Sequence, residues 1–492
     1  MISRIALSLL LGAGIASAQE IPNRPEKLTY KPFIFQAPKV KDFKAKLKNG
    51  IPVFIAQDPN GQPFVRINVM VRGGTYLDPK GKEGLAGFVG SEMRTGGTDK
   101  TPADKLDERI EFLAAEINSN FGATSGNVSL EILEKDFKAG LELFMEVLTQ
   151  PAFSQERLDL AKKQTRLGIA EANDSANLIA TYQMAYLLNG ENHFSTAFTT
   201  EASINAITRE DLKAFHARVL HPSNLVIAVS GKFDKKIVME ALNKTLGELK
   251  PVKGAEVSPK PPAPEFTRKT GIFVCDKDVP QSTIKFSIPG LRRTDPDWYA
   301  TVVMNDILGG GGFTARLMKK IRSDEGLTYG IGSRFGSGAY WQGDWSCGLQ
   351  TKNRSVAYAM RLALAEIDRI KTEPVSDQEL QVVKDSIMAG FPANFPNKKA
   401  TVNTFASEQL IGWPEGYFND YCAKIQTITK DDVLRMAKKY LDPSKMVLLV
   451  VGKISEAEEG DVKDHPGKLS EVVKLPVVKL PLRDPLTMKP IK

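Results

Sequence analysis

The chain has 492 residues, too many for one ordinary hydrophobic core, so we expect roughly two to four domains. Its hydrophobic share of 42% and charged share of 25% are typical of a globular protein. The formal charge of +8 is spread over interleaved basic and acidic residues, without a Lys/Arg block or an RNA-binding signature. This argues against a nucleic-acid-binding protein but leaves open a mildly basic face for an anionic envelope or acidic peptides.

The first residues are typical of an export signal. Arg4 supplies a positive start, Ile5–Ile15 is apolar, and Ala16–Ala18 offers small residues for cleavage. An apolar run of about eleven residues is too short for the ~30 Å core of a bilayer. We predict cleavage after Ala18 and an exported protein, periplasmic or extracellular. The alternative is a buried N-terminal helix.

Three widely spaced cysteines, Cys275, Cys347 and Cys422, follow along the chain. An odd, sparse set is neither a disulfide framework nor a CxxC metal pair. One bridge is possible, but we favour three single buried thiols.

A repeat is the strongest internal signal. Ile207–Lys232 and Ile428–Lys453 share about ten identities in 26 positions at an offset of about 221 residues. Ser154–Leu158 matches Ser376–Leu380 at nearly the same offset. Agreement at two places in one register predicts that the chain is a duplication.

Each copy shows the same order of predicted elements. Asn49-Gly50 lies between two apolar segments and predicts a tight hairpin, and residues 65–71 alternate as in a half-buried strand. Helical spacing follows at Leu106, Ile110, Leu113, Ala114 and Ile117, then at Phe137, Leu141, Phe144 and Leu148. Leu225–Val229 is continuously apolar and predicts a closing strand. The pattern predicts an α/β sandwich in each copy, with a largely antiparallel sheet.

These elements divide the chain into six predicted parts. They are a signal peptide (1–18), an N-terminal extension (19–40), a first lobe (41–250), a stiff Pro-rich linker (251–268), a second lobe (269–458) and a Lys/Pro-rich tail (459–492). We expect the tail to be either extended over the surface or disordered.

Gly84-Leu85-Ala86 opens a predicted helix and is followed by Phe88 and Met93. This segment resembles the insulinase/pitrilysin (M16) family of zinc metallopeptidases, particularly two-lobed subunits such as those of mitochondrial processing peptidase and similar bacterial proteins. In that family it reads Gly-Leu-Ala-His-Phe-Leu-Glu-His-Met. The resemblance covers nearly the whole mature chain and implies two homologous lobes, each a mainly antiparallel sheet packed with helices.

The family's zinc motif, HxxEH, places two His ligands one helical turn apart with a Glu as general base. The matching positions here are Gly87, Gly90 and Ser91, which offer neither imidazole nor carboxylate. We interpret the neighbouring Glu92 as a solvated helix residue. The resemblance therefore implies no metal on this chain, and a zinc ion only on a partner subunit.

Other residues do not rebuild the zinc site in the sequence. The histidines are His193, His216, His221 and His465, and we interpret them as surface or helix-end residues. The family's distal Glu ligand aligns loosely with Leu167 or Gly168, or alternatively with Glu171. One carboxylate cannot hold a catalytic zinc alone.

The second lobe keeps the other half of the family's site. Arg322 and Tyr329 fit its C-terminal motif, in which an Arg and a Tyr seven positions apart reach toward the zinc site of the substrate chamber. Both side chains can donate hydrogen bonds to a peptide carbonyl. The alternative is that Arg322 pairs with Asp324 or Glu325 and that Tyr329 is a half-buried strand residue.

Two further segments match the family more loosely. The run Gly309, Gly310, Gly311 and Gly312 fits no phosphate-binding fingerprint and is either a flexible lip of the substrate cavity or a plain turn. Residues 118–132 resemble the family's edge strand, which can receive an extended peptide or simply end the sheet.

The asymmetry between the lobes leads to our functional hypothesis: a non-catalytic subunit of a heteromeric M16-type peptidase, paired with an HxxEH-containing subunit. The alternative is a non-enzymatic peptide-binding or scaffold protein of the cell envelope. A self-sufficient metallopeptidase with a displaced site has less support. No GxSxG elbow occurs, so serine hydrolase chemistry has little support either.

Overall fold

The computed structural model describes residues 35–250, 258–461, 463, 465, 467–472 and 476–491. The predicted signal peptide, most of the N-terminal extension and the first part of the linker lie outside the described residues. Within the described ranges, no helix has the length and apolar character needed to cross a bilayer.

The first lobe is built on a six-stranded sheet. Its strands are β1 (Lys44–Lys46), β2 (Pro52–Gln57), β3 (Phe64–Arg72), β4 (Glu116–Phe121), β5 (Ser125–Leu133) and β6 (Leu225–Gly231), in the order β1-β2-β6-β3-β5-β4. All neighbours are antiparallel except β2 and β6. The predicted hairpin turn is present, since Gly50 has a φ of 98°, which favours glycine.

Eight helices belong to this lobe's part of the described chain. They are α1 (Leu85–Thr95), α2 (Ala103–Phe112), α3 (Phe137–Thr149), α4 (Gln155–Ala170), α5 (Ala176–Asn189), α6 (Glu201–Ala206), α7 (Arg209–Val219) and α8 (Lys235–Lys244). The predicted helix through Ile117 is wrong at its end: α2 stops at Phe112, Ala114 has a φ of 45°, and Ile117 lies on β4.

The second lobe repeats this architecture except at its outer edge, where a parallel strand from the tail replaces the antiparallel hairpin strand of the first sheet. Its strands are β7 (Gly271–Asp276), β8 (Gln281–Pro289), β9 (Ile331–Phe335), β10 (Asp344–Lys352), β11 (Val447–Gly452) and β12 (Val477–Leu480), in the order β12-β7-β11-β8-β10-β9. Its helices are α9 (Trp298–Asn305), α10 (Val356–Thr372), α11 (Asp377–Gly390), α12 (Lys398–Ile411), α13 (Tyr421–Thr427), α14 (Lys430–Tyr440) and α15 (Ile454–Glu459). The two matching sheets confirm the predicted two-lobed α/β fold.

One helix from each lobe packs against the sheet of the other lobe. Helix α5 packs on the second sheet, where Ile179 and Met184 join a core cluster with Phe273 and Leu449. Helix α12 lies against β2, β3 and β6 of the first sheet. The starts of the two helices are 222 residues apart (398 − 176), within one residue of the repeat offset of about 221. The exchange is therefore part of the duplicated design.

The described part of the tail is extended and attached to both lobes. β12 pairs in parallel with β7 at the edge of the second sheet. Beyond it, the Arg483 guanidinium lies 4.1 Å from the Tyr186 ring and pairs with Glu191 at 2.6 Å. The Glu201 amide of the first lobe donates to Leu486 O at 2.8 Å.

The three cysteines are free thiols, as favoured from the sequence. Cys275 and Cys347 are buried, whereas Cys422 is half-buried. Burial raises the pKa of Cys275 to about 11, so this thiol is protonated and unreactive at neutral pH.

Candidate functional site

Helix α1 carries Gly87, Gly90 and Ser91, the residues that we aligned with the zinc motif, and Asp78 holds its start. The two carboxylate oxygens of Asp78 each accept a backbone N–H at 2.9 Å, one from Gly84 and one from Ala86. Gly84 has a φ of 101°, a conformation that favours glycine. The carboxylate therefore satisfies helix-start amides that have no partner within the helix.

Gly90, at the position of the general base, has no room for a side chain. A Cβ added there would lie 2.4 Å from the Phe121 backbone nitrogen and 2.8 Å from Asn120 C, both in the edge strand β4. The Ser119 hydroxyl donates to Gly90 O at 2.5 Å and fastens the strand to the helix. The backbone of β4 thus occupies the space that a catalytic Glu would need.

The two His positions are different. Gly87 is exposed, and a Cβ added there would meet no atom within 4 Å. The Ser91 hydroxyl lies 3.2 Å from Phe88 O and 3.1 Å from Glu92 Oε1, so it is engaged within its own helix. The residues at the motif therefore do not fit a zinc ion. Gly87 has no side chain, Gly90 has no room for one, and Ser91 offers only a neutral hydroxyl.

Glu92 is not a solvated residue, so that interpretation was wrong. Its side chain is only 2% exposed, and its Oε2 has no hydrogen-bond partner among the described residues. Burial raises the pKa of this carboxyl, and its hydrogen bonds with Thr95 and Ser91 only partly offset that effect. The reason for the error is that α1 is covered by β4, α4 and α7, which leaves it little solvent-facing surface.

The four histidines are engaged elsewhere. His216 Nε2 lies 2.8 Å from Leu148 O, His193 Nε2 lies 3.0 Å from Pro262 O, His221 Nδ1 accepts from Ser223 N, and His465 stacks on Tyr358. His193, His216 and His221 are buried rather than on the surface, but each lies at a helix end as the other interpretation expected: His216 in the last turn of α7, and His193 and His221 at the starts of short 3-10 turns. Leu167, Gly168 and Glu171 are exposed on or just after α4. No group of three His, Cys, Asp or Glu side chains within the described ranges is placed to hold a metal.

Arg322 and Tyr329 lie together on the open surface of the second lobe. Arg322 is in the π-helical segment Met318–Asp324, and its guanidinium carbon is 5.7 Å from the Tyr329 ring centroid and 4.6 Å from that of Phe313. Tyr329 is 94% exposed and Phe313 is 68% exposed. The three side chains form a stacked cation–aromatic group with polar ends in solvent.

The alternative contacts expected for this pair are not found in the described part of the chain. Arg322 makes no ion pair there, while Glu325 pairs with Lys320 at 2.7 Å and accepts from Tyr358 at 3.0 Å. Tyr329 follows the π-helical segment and precedes β9, rather than lying half-buried in a strand. Sequence reasoning missed Phe313, although it directly follows the glycine run that we singled out.

Most of the glycine run is closely packed. Gly309 and Gly310 end the π-helical turn Asp306–Gly310, and an added Cβ would lie 2.4 Å from Ser333 Oγ and 2.3 Å from Asp306 Oδ1, respectively. At Gly311 it would lie 2.6 Å from Asp306 O. Gly312, with a φ of 63°, has open space around it and presents Phe313 beside Arg322. Only the end of the run thus has the room that a movable lip needs.

The family comparisons match both lobes. The family model described as "Insulinase (Peptidase family M16)" matches residues 53–200, and "Peptidase M16 inactive domain" matches residues 206–387. The two segments together span most of the chain, and the protein belongs to the M16 family. With the sealed motif on α1, it is a catalytically incomplete member.

Individual relatives agree with this assignment. The chain is 25% identical to "Non-peptidase homolog YmxG" of Helicobacter pylori over 82% of this chain and 91% of that protein. It is 23% identical to the "Probable mitochondrial-processing peptidase subunit beta" of Arabidopsis thaliana over 54% of this chain and 49% of that protein. The crystal structure of a peptidase M16 inactive domain from Pseudomonas fluorescens shares the fold, with a TM-score of 0.75, 24% identity and coverage of 86% of this chain and 99% of that one.

Proposed function

We propose that this protein is the non-catalytic subunit of a heteromeric M16-type zinc peptidase. It is exported, pairs with an HxxEH-containing subunit that holds the zinc, and contributes Arg322 and Tyr329 to the binding of peptide substrates. The observation that carries the proposal is a contrast within one chain. The zinc-motif helix is closed by backbone at Gly90, whereas the donor pair of the other lobe is open to solvent.

The chemistry of the donor pair supports this role. A guanidinium and a phenol donate hydrogen bonds to a carbonyl oxygen and strengthen them as negative charge develops on it. Because Arg322 is stacked on aromatic rings instead of an acid, its donors stay available to a ligand. A relative named as a subunit of mitochondrial processing peptidase supports a heteromeric assembly.

The test compares variants of this chain in complex with its HxxEH-containing partner, whose gene we expect next to this one. We expect Arg322→Ala and Tyr329→Phe each to lower kcat/KM for peptide cleavage by roughly 10²-fold, the usual loss for one such donor. Arg435→Ala is the control, since Arg435 is an exposed arginine on α14 that pairs with Asp432. Size-exclusion chromatography verifies that every variant still forms the complex.

Unchanged cleavage by both variants in an intact complex would refute this role. The second candidate, a peptide-binding or scaffold protein that cleaves nothing in any company, is favoured by one observation. The exposed rings of Phe313 and Tyr329 can hold a peptide without any metal. Affinity capture that recovers no HxxEH protein would support this candidate over the first.

A further inference from the structure

Each sheet forms a cavity with the helix lent by the other lobe. In the first lobe a cavity of about 710 Å³ lies between the sheet and α12. In the second lobe a cavity of about 830 Å³ lies between the sheet and α5, and a smaller one of about 400 Å³ shares Lys285 and Gly348 with it and extends to Tyr329. The second-lobe cavities thus extend along the face of the sheet to Tyr329.

The floors of the two cavities differ although their positions correspond. Across the first sheet, one row of paired residues is Asn68, Ser129 and Asn118. The matching row across the second sheet is Lys285, Gly348 and Gly332. The second sheet therefore has glycine at two of the three positions, and its only side chain in this row is that of Lys285.

The helices that cover the two cavities, α12 and α5, also contact the sheets at corresponding positions. In the first lobe the Asn68 amide donates to Asn403 of α12 at 2.7 Å. In the second lobe the Lys285 ammonium donates to the Thr181 hydroxyl of α5 at 2.8 Å. The neutral pair of one lobe is replaced in the other by a cation with a neutral partner.

Charges lining the first cavity are compensated within the protein. Arg66 and Lys399 both pair with Glu131, at 2.7 and 3.2 Å, and Arg293 pairs with Glu408 at 2.7 Å. Both carboxylates that pair there also line the cavity. Arg66, Lys399 and Arg293 are all paired with carboxylates, so none of the three is left without a counter-charge to attract an anion.

Charges lining the second cavity are not compensated. Lys285 and Arg334 make no ion pair within the described part of the chain, and the lining carboxylate, Asp344, is paired with Arg268. Burial lowers the pKa of Lys285, with no neighbouring carboxylate to offset the effect. A half-buried cation without a counter-charge is costly, and an anionic ligand would relieve that cost.

We propose that the second-lobe cavity binds a carboxylate of the peptide, so that the protein selects acidic peptides, with Lys285 and Arg334 as the counter-charges. This inference rests on the proposed peptide-binding function and specifies its substrate class. The peptide reaches the cavity past Tyr329, which lines the adjoining smaller cavity. A carboxylate replaces the neutral Thr181 hydroxyl as the acceptor and forms a charge-assisted hydrogen bond with the Lys285 ammonium.

The experiment uses the full mature chain and two labelled peptides of equal length. One peptide is rich in Glu, and its isosteric twin has Gln at every Glu position. Fluorescence anisotropy at fixed ionic strength measures both affinities. We expect the acidic peptide to bind about tenfold more tightly, equivalent to about 1.4 kcal/mol.

Variants locate the preference. Lys285→Met and Arg334→Gln should each remove most of the difference between the peptides, and Lys285→Met should fold well because it deletes a half-buried charge. Lys213→Gln, on an exposed part of α7, changes the net charge equally and should leave the difference unchanged.

Three results would overturn the inference: equal affinity for the two peptides, no binding of either, or a preference that Lys213→Gln reduces as much as Lys285→Met does. Failure of the charge preference can be told apart from failure of the proposed function. If only the charge preference fails, Arg322→Ala still lowers cleavage by the complex. If only the proposed function fails, Arg322→Ala leaves cleavage unchanged, while the isolated chain still prefers the acidic peptide.

Discussion

In each lobe a helical segment packs a glycine against an edge strand, but the atoms of the strand that face the glycine differ. In the first lobe, a Cβ added to Gly90 of α1 would collide with the backbone of β4. In the second lobe, a Cβ added to Gly309 of the π-helical turn would collide with the hydroxyl of Ser333 on β9. Backbone cannot move aside without breaking the strand, whereas a side chain can rotate. The segment that aligns with the zinc motif is thus closed by main chain at Gly90, whereas the segment beside the proposed donor pair meets a side chain that can rotate.

The largest effect is expected from a variant that places a carboxylate at Gly90, because it tests whether β4 blocks this position. We expect Gly90→Glu to lower the free energy of unfolding by about 3 kcal/mol or more, because overpacking and a buried charge act together. Chemical denaturation followed by circular dichroism gives the value.

Gly87→Glu is the matched control for that variant. It places the same side chain one turn earlier in open space, where replacing glycine in a helix is neutral or favourable by up to about 1 kcal/mol. Equal stability of the two variants would show that β4 does not seal α1. It would then be reasonable to rebuild HxxEH on this helix.

A second, intermediate effect concerns acid stability. At matching repeat positions the first lobe has Arg157 and the second has Glu379 (157 + 222). The buried Arg316 guanidinium holds the pKa of Glu379 at about 2, against 4.5 for a free Glu. A depressed carboxyl pKa contributes stability above the unfolded-state pKa, and that stability is lost as the pH falls from about 4.5 through about 2.

The measurement is the free energy of unfolding between pH 6 and pH 3. We expect Arg316→Met to cost about 1–2 kcal/mol near pH 6, after solvent screening of the partly exposed Glu379, and to flatten the loss toward pH 3. Arg157→Met, whose partners Asp104 and Asp107 are 85% and 37% exposed, should change the pH dependence much less. The same slope in both variants would contradict the assignment to Glu379.

The smallest effect should come from the tail that joins the lobes. Arg483→Ala removes a cation–aromatic contact with Tyr186, an ion pair with the exposed Glu191 and a hydrogen bond to Met488 O. We expect a loss of about 1 kcal/mol. Arg354→Ala removes an exposed ion pair with Glu459 that has no aromatic contact, and should cost about 0–0.5 kcal/mol. A reversed order in thermal denaturation would show that the tail does not stabilise the pairing of the lobes.

The fold was predictable because its signals are local or repeated. The Asn49-Gly50 turn, the alternation along β3 and the apolar β6 each encode their own element. The repeat then implies a second copy without further argument. The end of α2 was missed because a residue with a positive φ, Ala114, terminates it without a glycine or proline signal.

The site was predictable only as a set of residue types. The sequence predicts which ligands are missing and which donors remain, but it shows neither the backbone of β4 beside Gly90 nor the burial of Glu92. Both depend on contacts between elements distant in the chain, which hydrophobic periodicity does not encode. The exchange of α5 and α12, and the cavities it creates, escaped prediction for the same reason.

That exchange has a consequence for the lobe that lacks zinc ligands. Its helix α5 supplies Thr181, Met184 and Leu188 to the wall above Lys285, so the cavity of one half is made partly from the other. Excising the first half would uncover the apolar cluster around Phe273 and Leu449 and dismantle the binding surface with it. Whatever its own chemistry, the first half is thus a structural component that the second half requires.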